Sequence, residues 1–317
     1  MLFFKNLTMT NKIRSIFYLL RIRQYYKNVL VFVGIFFSQN IFDISLYLNL
    51  IIGFIILCCT SSFNYIINDI IDINKDKMHS EKIEKKPLAS GDLSVSTAIL
   101  ILILLVGTIT LLFFLFIPNL AFISTTILII ITGQLYNHFL KKYAFIDIII
   151  LSTGYLWRAL AGCAIIEVFI SAWLYLAIFE VALFLGIAKR KGDLILLGKD
   201  KAIEHKKVYS QYSLELLDRF HVIVASSLFM TYSLYLVLTF FFEPGLTTPY
   251  EYLVILTIPL ALYIIMRYMY LTSSKPEVAR STEKAFLDKG IIIAGIVLII
   301  VLFIAFYFEQ ILVIFMS

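Results

Sequence analysis

The strongest constraint on the fold is a series of long apolar segments that recurs along the whole chain. Of the 317 residues, 61% are hydrophobic and only 15% are charged, and the mean hydropathy is +0.93. A soluble domain of this size could not bury so much apolar surface. Each segment is long enough to cross the roughly 30 Å hydrocarbon core of a bilayer as a helix of about 20 residues. The sequence therefore predicts a polytopic all-α membrane protein.

We predict nine membrane spans and no separate soluble domain. The sequence lacks the alternating apolar and polar segments, each of about 10 residues, that are typical of a transmembrane barrel, so helices remain as the way to satisfy the backbone in lipid. Residues 1–317 are expected to form one transmembrane domain, with residues 1–27 in the cytoplasm or at the membrane interface. The predicted spans cover residues 28–44, 46–68, 95–117, 119–138, 144–165, 169–188, 220–242, 250–271 and 290–315.

The basic residues predict the orientation of these spans. Of the 27 Lys and Arg residues, 26 lie in or beside one set of alternate loops, and the loops of the other set contain none. Because cytoplasmic loops carry an excess of Lys and Arg, we expect the N-terminus in the cytoplasm and, with nine spans, the C-terminus outside. The net charge of +6 is explained by this topology and by anionic lipid headgroups, so no nucleic-acid partner is expected.

The cysteines and the N-terminus give no direct evidence of chemistry. Cys58, Cys59 and Cys163 fall inside predicted spans without metal-ligand spacing and are interpreted as packing residues. The basic N-terminal stretch lacks an apolar segment followed by a small-residue cleavage site, so we expect no removable signal peptide. Catalytic and substrate-binding residues are therefore expected in the charged segments.

Three aspartates stand at the C-terminal end of the second predicted span. Asp69, Asp72 and Asp76 follow one another at spacings of three and four, which places them on one helical face. Three like charges stacked in this way repel one another, and a divalent cation would compensate them. Mg²⁺ takes one or two carboxylates and leaves its other positions to water and substrate phosphate. The alternative interpretation is an acidic helix end that is simply solvated.

A lysine-rich segment follows these aspartates and leads to Lys86 and the turn-forming sequence Pro87-Leu88-Ala89-Ser90-Gly91. This segment can bend over a metal ion and offer ammonium groups to phosphate oxygens. Acidic and basic residues together predict a site for Mg²⁺ and a diphosphate. The competing interpretation is a cytoplasmic basic loop that happens to carry acids.

One cation, Arg158, lies deep inside the fifth predicted span. An unpaired cation in lipid is costly, and such residues usually face a cavity or a carboxylate. Arg158 is therefore expected to line a substrate cavity or to form an ion pair that packs helices together.

The run Asn68-Asp69-Ile-Ile-Asp72-Ile-Asn-Lys-Asp76, followed by Lys86-Pro87-Leu88-Ala89-Ser90-Gly91, resembles the first aspartate motif of the UbiA prenyltransferase superfamily. The resemblance extends over most of the chain, and it implies nine helices around a central cavity with a cytoplasmic cap of loops. The most similar branch is the decaprenyl-phosphate phosphoribosyltransferase type. Four further passages are similar to that branch, namely residues 21–28, 136–147, 154–162 and 188–193.

The resemblance also implies roles for individual residues. Asp69, Asp72 and Asp76 would hold Mg²⁺, and Asp193 would orient the donor or a second metal ion. The residues expected to bind phosphate groups or line the substrate cavity are Lys27, Asn28, Asn68, Lys86, Tyr136, Lys141, Arg158, Lys189 and Arg190. For Lys189 and Arg190 the simpler alternative is a basic helix end facing the cytoplasm, and for Tyr136 it is a place in the interfacial aromatic belt.

Three functions remain open at this point. The first is the transfer of 5-phosphoribose from phosphoribosyl diphosphate to a polyprenyl phosphate at a bacterial or archaeal cell membrane. The second is the transfer of a prenyl group from a prenyl diphosphate to an aromatic or lipid acceptor. Aromatic prenyltransferases of the superfamily usually carry a second pair of aspartates four apart, whereas Asp193 and Asp200 are seven apart. The third is transport of a lipid or solute, for which two related halves with broken helices would be expected.

Overall fold

The computed structural model describes residues 11–77, 86–116, 119–241 and 251–316. Regular structure in these ranges consists of α-helices and 3₁₀ helices. A short helix, α1 (Asn11–Leu20), precedes eight helices that, in this part of the chain, are long and apolar enough to cross a membrane. The predicted fold class is therefore confirmed. The eight helices are α2 (Tyr47–Ile71), α3 (Val95–Phe116), α4 (Leu120–His138), α5 (Ile146–Ile165), α6 (Ala172–Leu197), α7 (Leu214–Phe241), α8 (Thr257–Ser274) and α9 (Lys289–Met316).

The helix ends follow from local sequence. Asn119 precedes α4 and accepts a hydrogen bond from the Phe122 amide at 3.0 Å, and Ser171 precedes α6 and accepts one from the Trp173 amide at 3.3 Å. Such side chains satisfy backbone N–H groups that have no partner within the helix. At the other end of α6, Gly198 adopts a φ of +74°, which most L-residues disfavour.

The first predicted span, residues 28–44, is not a single long α-helix. The chain forms a 3₁₀ helix over Ile22–Phe32 and an α-helix over Val33–Phe37, and then turns at Gln39, whose φ is +60°. With about 2.0 Å per 3₁₀ residue and 1.5 Å per α-helical residue, this continuous segment is about 30 Å long. It could cross a bilayer in spite of its polar first half, and the ninth span stays a prediction.

The chain divides into two compact units. Unit 1 comprises Met1–Ile35, Ile41–Asn137 and Trp157–Val168, and unit 2 comprises Phe36–Asn40, His138–Leu156 and Phe169–Ser317. Each unit has its own buried apolar core and its own cluster of charged side chains.

The core of unit 1 is formed by α2 and the helices packed on it. Ile56, Phe122 and Ile129 are buried together in this core. The 3₁₀ helix packs closely against α5 because Gly162 has no side chain. A Cβ atom at Gly162 would lie 1.9 Å from the carbonyl oxygen of Val31.

The core of unit 2 is formed largely by α6, α7, α8 and α9. Phe184, Ala225, Tyr268 and Ile291 lie in one buried cluster. In the second half of α8 the Arg267 guanidinium donates two hydrogen bonds, at 3.1 and 2.9 Å, to the carboxylate of the residue just before α9. That carboxylate, Asp288, also accepts from the Ile291 amide and so caps α9.

Candidate functional site

A cluster of four charged side chains lies at the C-terminal end of α2 in unit 1. The Asp69 carboxylate contacts Arg21 Nη2 at 2.6 Å and Lys86 Nζ at 3.1 Å. The same Lys86 ammonium donates to the carboxylate of Asp76. Both aspartate side chains are only 3% exposed. Two of the three predicted metal ligands therefore converge on one cation position, which the Lys86 ammonium fills.

The turn that carries Lys86 is fixed by its apolar neighbours. Pro87–Ser90 form one helical turn, which begins after Lys86 in an extended conformation and ends at Gly91 with a φ of +85°. Proline at the first helical position and glycine after the last suit this short turn. Leu88 is buried in the same apolar cluster as Ile66 of α2. This packing keeps the Lys86 side chain beside the end of α2.

Arg21 reaches Asp69 from a backbone conformation that is unusual for arginine. It lies between α1 and the 3₁₀ helix with φ 53° and ψ 44°, in the left-handed region. A non-glycine residue in this region costs of order 1 kcal/mol and persists only where surrounding contacts hold it. Here the contacts are the ion pair with Asp69 and a cation–π contact, in which the guanidinium lies 4.5 Å from the ring centre of Tyr65.

Asp72, the third predicted metal ligand, stands where α2 is interrupted. Its φ of −93° and ψ of 8° end α2 before the short turn Ile73–Asp76, and its carboxylate pairs with Lys75 at 3.5 Å. Among the described residues, no group of three or more His, Cys, Asp or Glu side chains is placed to hold a metal ion. The expected three-carboxylate arrangement is thus not formed in this structure, because the helix breaks at Asp72 and Lys86 lies between the other two carboxylates.

The residues at this position nevertheless fit a divalent cation. Asp69 and Asp76 supply hard oxygen ligands directed at one point, and this is the type and number of ligand that Mg²⁺ uses when water and phosphate complete its coordination. Lys86 would have to leave that point for a metal ion to enter. The assignment of Asp69, Asp72 and Asp76 to a metal stays a prediction.

A second polar cluster surrounds Arg158 of α5, still within unit 1. Arg158 Nε donates to the Asn28 carboxamide oxygen at 2.7 Å, and Nη2 donates to the Ser61 hydroxyl at 3.3 Å. Asn28 is buried and also binds the Ser61 hydroxyl at 3.2 Å and the Cys58 thiol at 3.3 Å. Two of the residues predicted to bind substrate, Asn28 and Arg158, are therefore in direct contact.

Both clusters lie along α2, and hydrogen bonds of amide side chains hold this helix against α4. The carboxamide of Asn64 donates to the Ile129 carbonyl at 3.0 Å and accepts from Gln134 at 2.6 Å. Asn137 of α4 donates in turn to the Asn64 carbonyl at 3.3 Å. Gly133 makes this approach possible, since a Cβ atom there would lie 2.5 Å from the Asn64 amide nitrogen. These bonds fix the rotation of α2.

Unit 2 has a different charged cluster, centred on a fully buried carboxylate. Asp147 accepts from Arg190 Nε at 2.9 Å and from the Tyr212 hydroxyl at 2.6 Å, and Arg190 Nη2 is 2.8 Å from the same carboxylate. Burial raises the pKa of the Tyr212 hydroxyl, and its hydrogen bond to Asp147 raises it further. Tyr212 therefore stays protonated at neutral pH and donates to Asp147.

Asp193 lies at the edge of this second cluster. Its carboxylate accepts from the Tyr209 hydroxyl and pairs with Arg280 Nε at 3.2 Å. Burial is the main cause of the raised pKa of Tyr209, whose hydroxyl also lies 3.5 Å from Arg190 Nη1. Arg190 and Asp193, both predicted to contact substrate, thus take part in an ion-pair and tyrosine network within unit 2.

The remaining predicted residues lie outside these contacts or at their edges. Lys27 donates to Gln24 at 3.3 Å, and Asn68 accepts the Asp72 amide with its carbonyl at 3.0 Å. Lys189 is exposed on α6. Tyr136 and Lys141 are half-buried near the end of α4 and in the following 3₁₀ turn.

Two prominent residues had no role in the sequence-based site. Arg21 belongs to the N-terminal passage that resembles the phosphoribosyltransferase branch, and Asp147 ends another such passage, but neither was assigned a contact. The only signal was their place in those passages. Arg21 is 48 residues from Asp69 in the sequence and Asp147 is 43 residues from Arg190, so local spacing could not reveal either pair.

The described residues contain eight apolar helices with charged clusters at helix ends, and these features define an integral membrane protein with a polar site suited to anions and a cation. A model of the UbiA prenyltransferase family matches residues 28–290. The chain therefore belongs to the UbiA prenyltransferase family, and the resemblance noted in the sequence is confirmed.

Two curated relatives share the name decaprenyl-phosphate phosphoribosyltransferase. The chain is 29% identical over 225 residues to the protein of Corynebacterium glutamicum and 27% identical over 209 residues to that of Mycolicibacterium smegmatis. The alignments cover 68% and 64% of this chain and 65% and 64% of the relatives. The matched region is thus slightly less than two thirds of the length of each relative.

Solved structures with the same fold include a UbiA homolog from Archaeoglobus fulgidus. Its structure bound to DMAPP and Mg²⁺ gives a TM-score of 0.64 at 17% identity, covering 82% of this chain and 88% of that chain. The structure bound to GPP and Mg²⁺ gives 0.64 at 16% identity, covering 95% and 99%. At this level of identity the likeness establishes the fold.

Proposed function

We propose that this protein is a Mg²⁺-dependent membrane transferase that moves 5-phosphoribose from phosphoribosyl diphosphate to a polyprenyl phosphate and releases pyrophosphate. The observation that carries the proposal is the convergence of Asp69 and Asp76 on one cation position beside Arg21 and Lys86. The similarity to two phosphoribosyltransferases supports this choice of donor and acceptor.

The chemical problem is to break a bond between carbon and a diphosphate oxygen. An oxygen of the lipid phosphate forms a bond to the anomeric carbon, and the bond from that carbon to the diphosphate breaks with its electron pair leaving on pyrophosphate. A bound Mg²⁺ would act as Lewis acid and template on the departing diphosphate. No covalent intermediate with the protein is required.

The side chains of this protein would stabilise the charge that builds on the leaving group. In the proposed bound state Asp69 and Asp76 hold the cation, and Lys86 exchanges its carboxylate partners for diphosphate oxygens. Arg21 remains on Asp69 and has further N–H donors to offer to phosphate, because a guanidinium carries five. Preorganised donors of this type each contribute about 3–4 kcal/mol to transition-state stabilisation.

We further propose that this site faces the cytoplasm, where phosphoribosyl diphosphate is available. The support is the distribution of Lys and Arg over alternate loops, which favours a cytoplasmic N-terminus. Because α2 would then run inward, Asp69 would lie at its cytoplasmic end. Cysteine labelling of sealed vesicles would test this orientation, with Asp92→Cys and Asp43→Cys introduced one at a time after Cys58, Cys59 and Cys163 have been replaced. Asp92→Cys should react only from the cytoplasmic side and Asp43→Cys only from the outer side.

A prenyltransferase is the second candidate. The structures of the same fold bound to DMAPP or GPP with Mg²⁺ favour it. The same carboxylates and cations would then assist ionisation of an allylic diphosphate, and an aromatic or lipid acceptor would add to the allylic carbon.

One experiment separates these candidates. Purified protein in nanodiscs is incubated with Mg²⁺ and either labelled phosphoribosyl diphosphate with a polyprenyl phosphate or labelled prenyl diphosphate with candidate acceptors. We expect labelled phosphoribosyl lipid and stoichiometric pyrophosphate, both abolished by EDTA. Labelled product from the prenyl diphosphate alone would overturn the choice of donor, and passage of substrate across the bilayer without pyrophosphate release would indicate transport.

A further inference from the structure

The short helix α1 packs with one face against the elements that carry the Asp69 cluster. Leu19 of α1 is fully buried in the same apolar cluster as Ile66 of α2 and Leu88. Leu88 belongs to the turn that carries Lys86. The position of α1 is therefore linked by direct packing to both elements that hold this cluster.

The opposite face of α1, its outer face, combines apolar and basic side chains. Ile13 and Phe17 are spaced by four residues, so they lie on one side of the helix, and they are 45% and 38% exposed. Lys12 and Arg14 beside them are exposed as well. Large exposed apolar side chains flanked by cations are typical of a helix that lies in the plane of the membrane interface.

Two arginines lie beside one tyrosine ring next to this face. The guanidinium of Arg14 lies 5.7 Å from the ring centre of Tyr18, and that of Arg23, in the following 3₁₀ helix, lies 5.9 Å from it. Among the residues that the structure describes, neither arginine is paired with a carboxylate. A guanidinium group binds phosphate oxygens with two parallel hydrogen bonds. The pair therefore suits phosphate groups at the surface of the protein.

We propose that the outer face of α1, together with Arg23, binds anionic phospholipids of the surrounding bilayer. Ile13 and Phe17 would enter the boundary of the acyl chains, and Arg14 and Arg23 would bind the lipid phosphates. A bilayer is the expected neighbour, because α1 packs on the end of α2, a helix long and apolar enough to cross a membrane. The basic side chains favour anionic over zwitterionic lipids, since only the former give the membrane a negative surface potential.

Lipid bound in this way would also stabilise the position of Arg21. Arg21 lies between Arg14 and Arg23 in the sequence, has a φ of 53° and pairs with Asp69. Such a conformation persists only where surrounding contacts hold it. Lipid contacts on both sides of Arg21 would fix the two segments that flank it and keep its guanidinium on Asp69. This regulatory consequence rests on the function proposed above, whereas the lipid binding does not.

Hydrogen exchange of the protein in nanodiscs, without substrate, tests the lipid binding locally. The amides of α1 should exchange about 10-fold more slowly in discs of phosphatidylglycerol and phosphatidylcholine in equal parts than in discs of phosphatidylcholine alone, because bound lipid suppresses local opening. The double variant Arg14→Gln/Arg23→Gln should reduce this difference to about 2-fold or less. Lys201→Gln/Lys207→Gln, at two exposed lysines of unit 2, removes the same charge and is the matched control, which should keep the full difference.

A second variant separates the apolar from the basic part of the surface. Phe17→Ser should speed exchange of the α1 amides in both kinds of disc alike, because it removes apolar burial and leaves the charge unchanged. If the double arginine variant does not yield monodisperse protein, Arg14→Gln alone takes its place. A difference of about 3-fold between the two kinds of disc should then remain, since one of the two arginines is still present.

Equal exchange of the α1 amides in the two kinds of disc would overturn the inference. An equal loss in the lysine control would overturn it too, because the effect would then come from net charge and not from this surface. Protection of α1 by glycerol phosphate in phosphatidylcholine discs would indicate a soluble ligand and overturn the assignment to lipid.

Pyrophosphate release in the same discs tests the regulatory consequence. Release should be faster in the discs that contain phosphatidylglycerol, and an equal rate in both would overturn the link between α1 and Arg21. Failure of the proposed function gives a different result, because lipid-dependent protection of α1 would then occur without any pyrophosphate release.

Discussion

Each of the two units contains a buried aspartate paired with an arginine, yet the two pairs differ in what surrounds them. Asp69 in unit 1 shares its carboxylate between Arg21 and Lys86, whose side chains are 23% and 18% exposed. Asp147 in unit 2 is fully buried, and its partner Arg190 is only 3% exposed. Unit 1 therefore offers cations that a ligand can reach, whereas unit 2 encloses its ion pair.

This difference in exposure indicates that the Asp69 cluster and the Asp147 cluster have different roles. In unit 1 the basic side chains can exchange a carboxylate for a phosphate, because water and ligand have access to them. In unit 2 Tyr212 and Arg190 satisfy both oxygens of Asp147, so the ion pair is complete without a ligand. A buried pair of this kind is costly to break, since removal of one partner leaves an uncompensated charge. We therefore expect substitutions in unit 1 to impair activity and those in unit 2 to impair stability.

The largest effect is expected in unit 2. Arg190→Met should lower the free energy of unfolding by about 3–5 kcal/mol, because Asp147 would keep a buried and unpaired charge. Thermal unfolding in detergent, followed by loss of monodisperse protein, would measure this. The double variant Arg190→Met with Asp147→Leu should recover most of the loss. If Arg190→Met is as stable as wild type but inactive, Arg190 binds substrate and the comparison between the units fails.

The second effect is on activity. Asp69→Asn should lower kcat about 10²–10³-fold, because the carboxylate that would hold the cation loses its charge while Arg21 and Lys86 keep a hydrogen-bond acceptor. Pyrophosphate release under saturating substrate measures kcat, and the unfolding temperature serves as the control. A loss of stability matching that of Arg190→Met would show that Asp69 has a structural role instead.

A smaller effect is expected from close packing in unit 1. Gly162→Ala places a methyl group within 1.9 Å of the Val31 carbonyl oxygen, so the 3₁₀ helix must move away from α5. Overpacking of this kind costs about 1–3 kcal/mol. Because Asn28 lies on the same 3₁₀ helix and binds Arg158, and both residues are predicted to bind substrate, the KM for substrate should rise as well. Ala161→Gly, at the neighbouring position of α5, is the control, and an unchanged KM in Gly162→Ala would show that the position of the 3₁₀ helix does not affect substrate binding.

The smallest effect is expected at an exposed ion pair of α7. Glu215 and Arg219 are in contact at 2.5 Å, but their side chains are 75% and 73% exposed. Glu215→Gln should change the free energy of unfolding by no more than about 0.5 kcal/mol, because solvent screens such pairs. Thermal unfolding at low and high salt would measure this. A loss above about 1 kcal/mol would show that charge pairing alone, without burial, stabilises unit 2.

Much of this architecture follows from the amino-acid pattern alone. Apolar segments of about 20 residues predict the membrane helices, because lipid requires every backbone group to be satisfied within the segment. The spacing of Asp69 and Asp76 predicts that both lie on one side of a helix end, and the structure places both on Lys86. The break at Asp72 was not predictable, since nothing in the local sequence distinguishes it from a continuing helix.

The sequence by itself determined the helical membrane fold and the position of an acidic and basic segment at the end of α2. Tertiary structure alone decided which charged and polar side chains meet. Arg21 binds Asp69, Arg158 donates a hydrogen bond to Asn28, and Arg190 forms a buried ion pair with Asp147. The physical reason is that helix periodicity is a local property, whereas an ion pair across 43 or 48 residues depends on how helices pack and on which charges that packing removes from water.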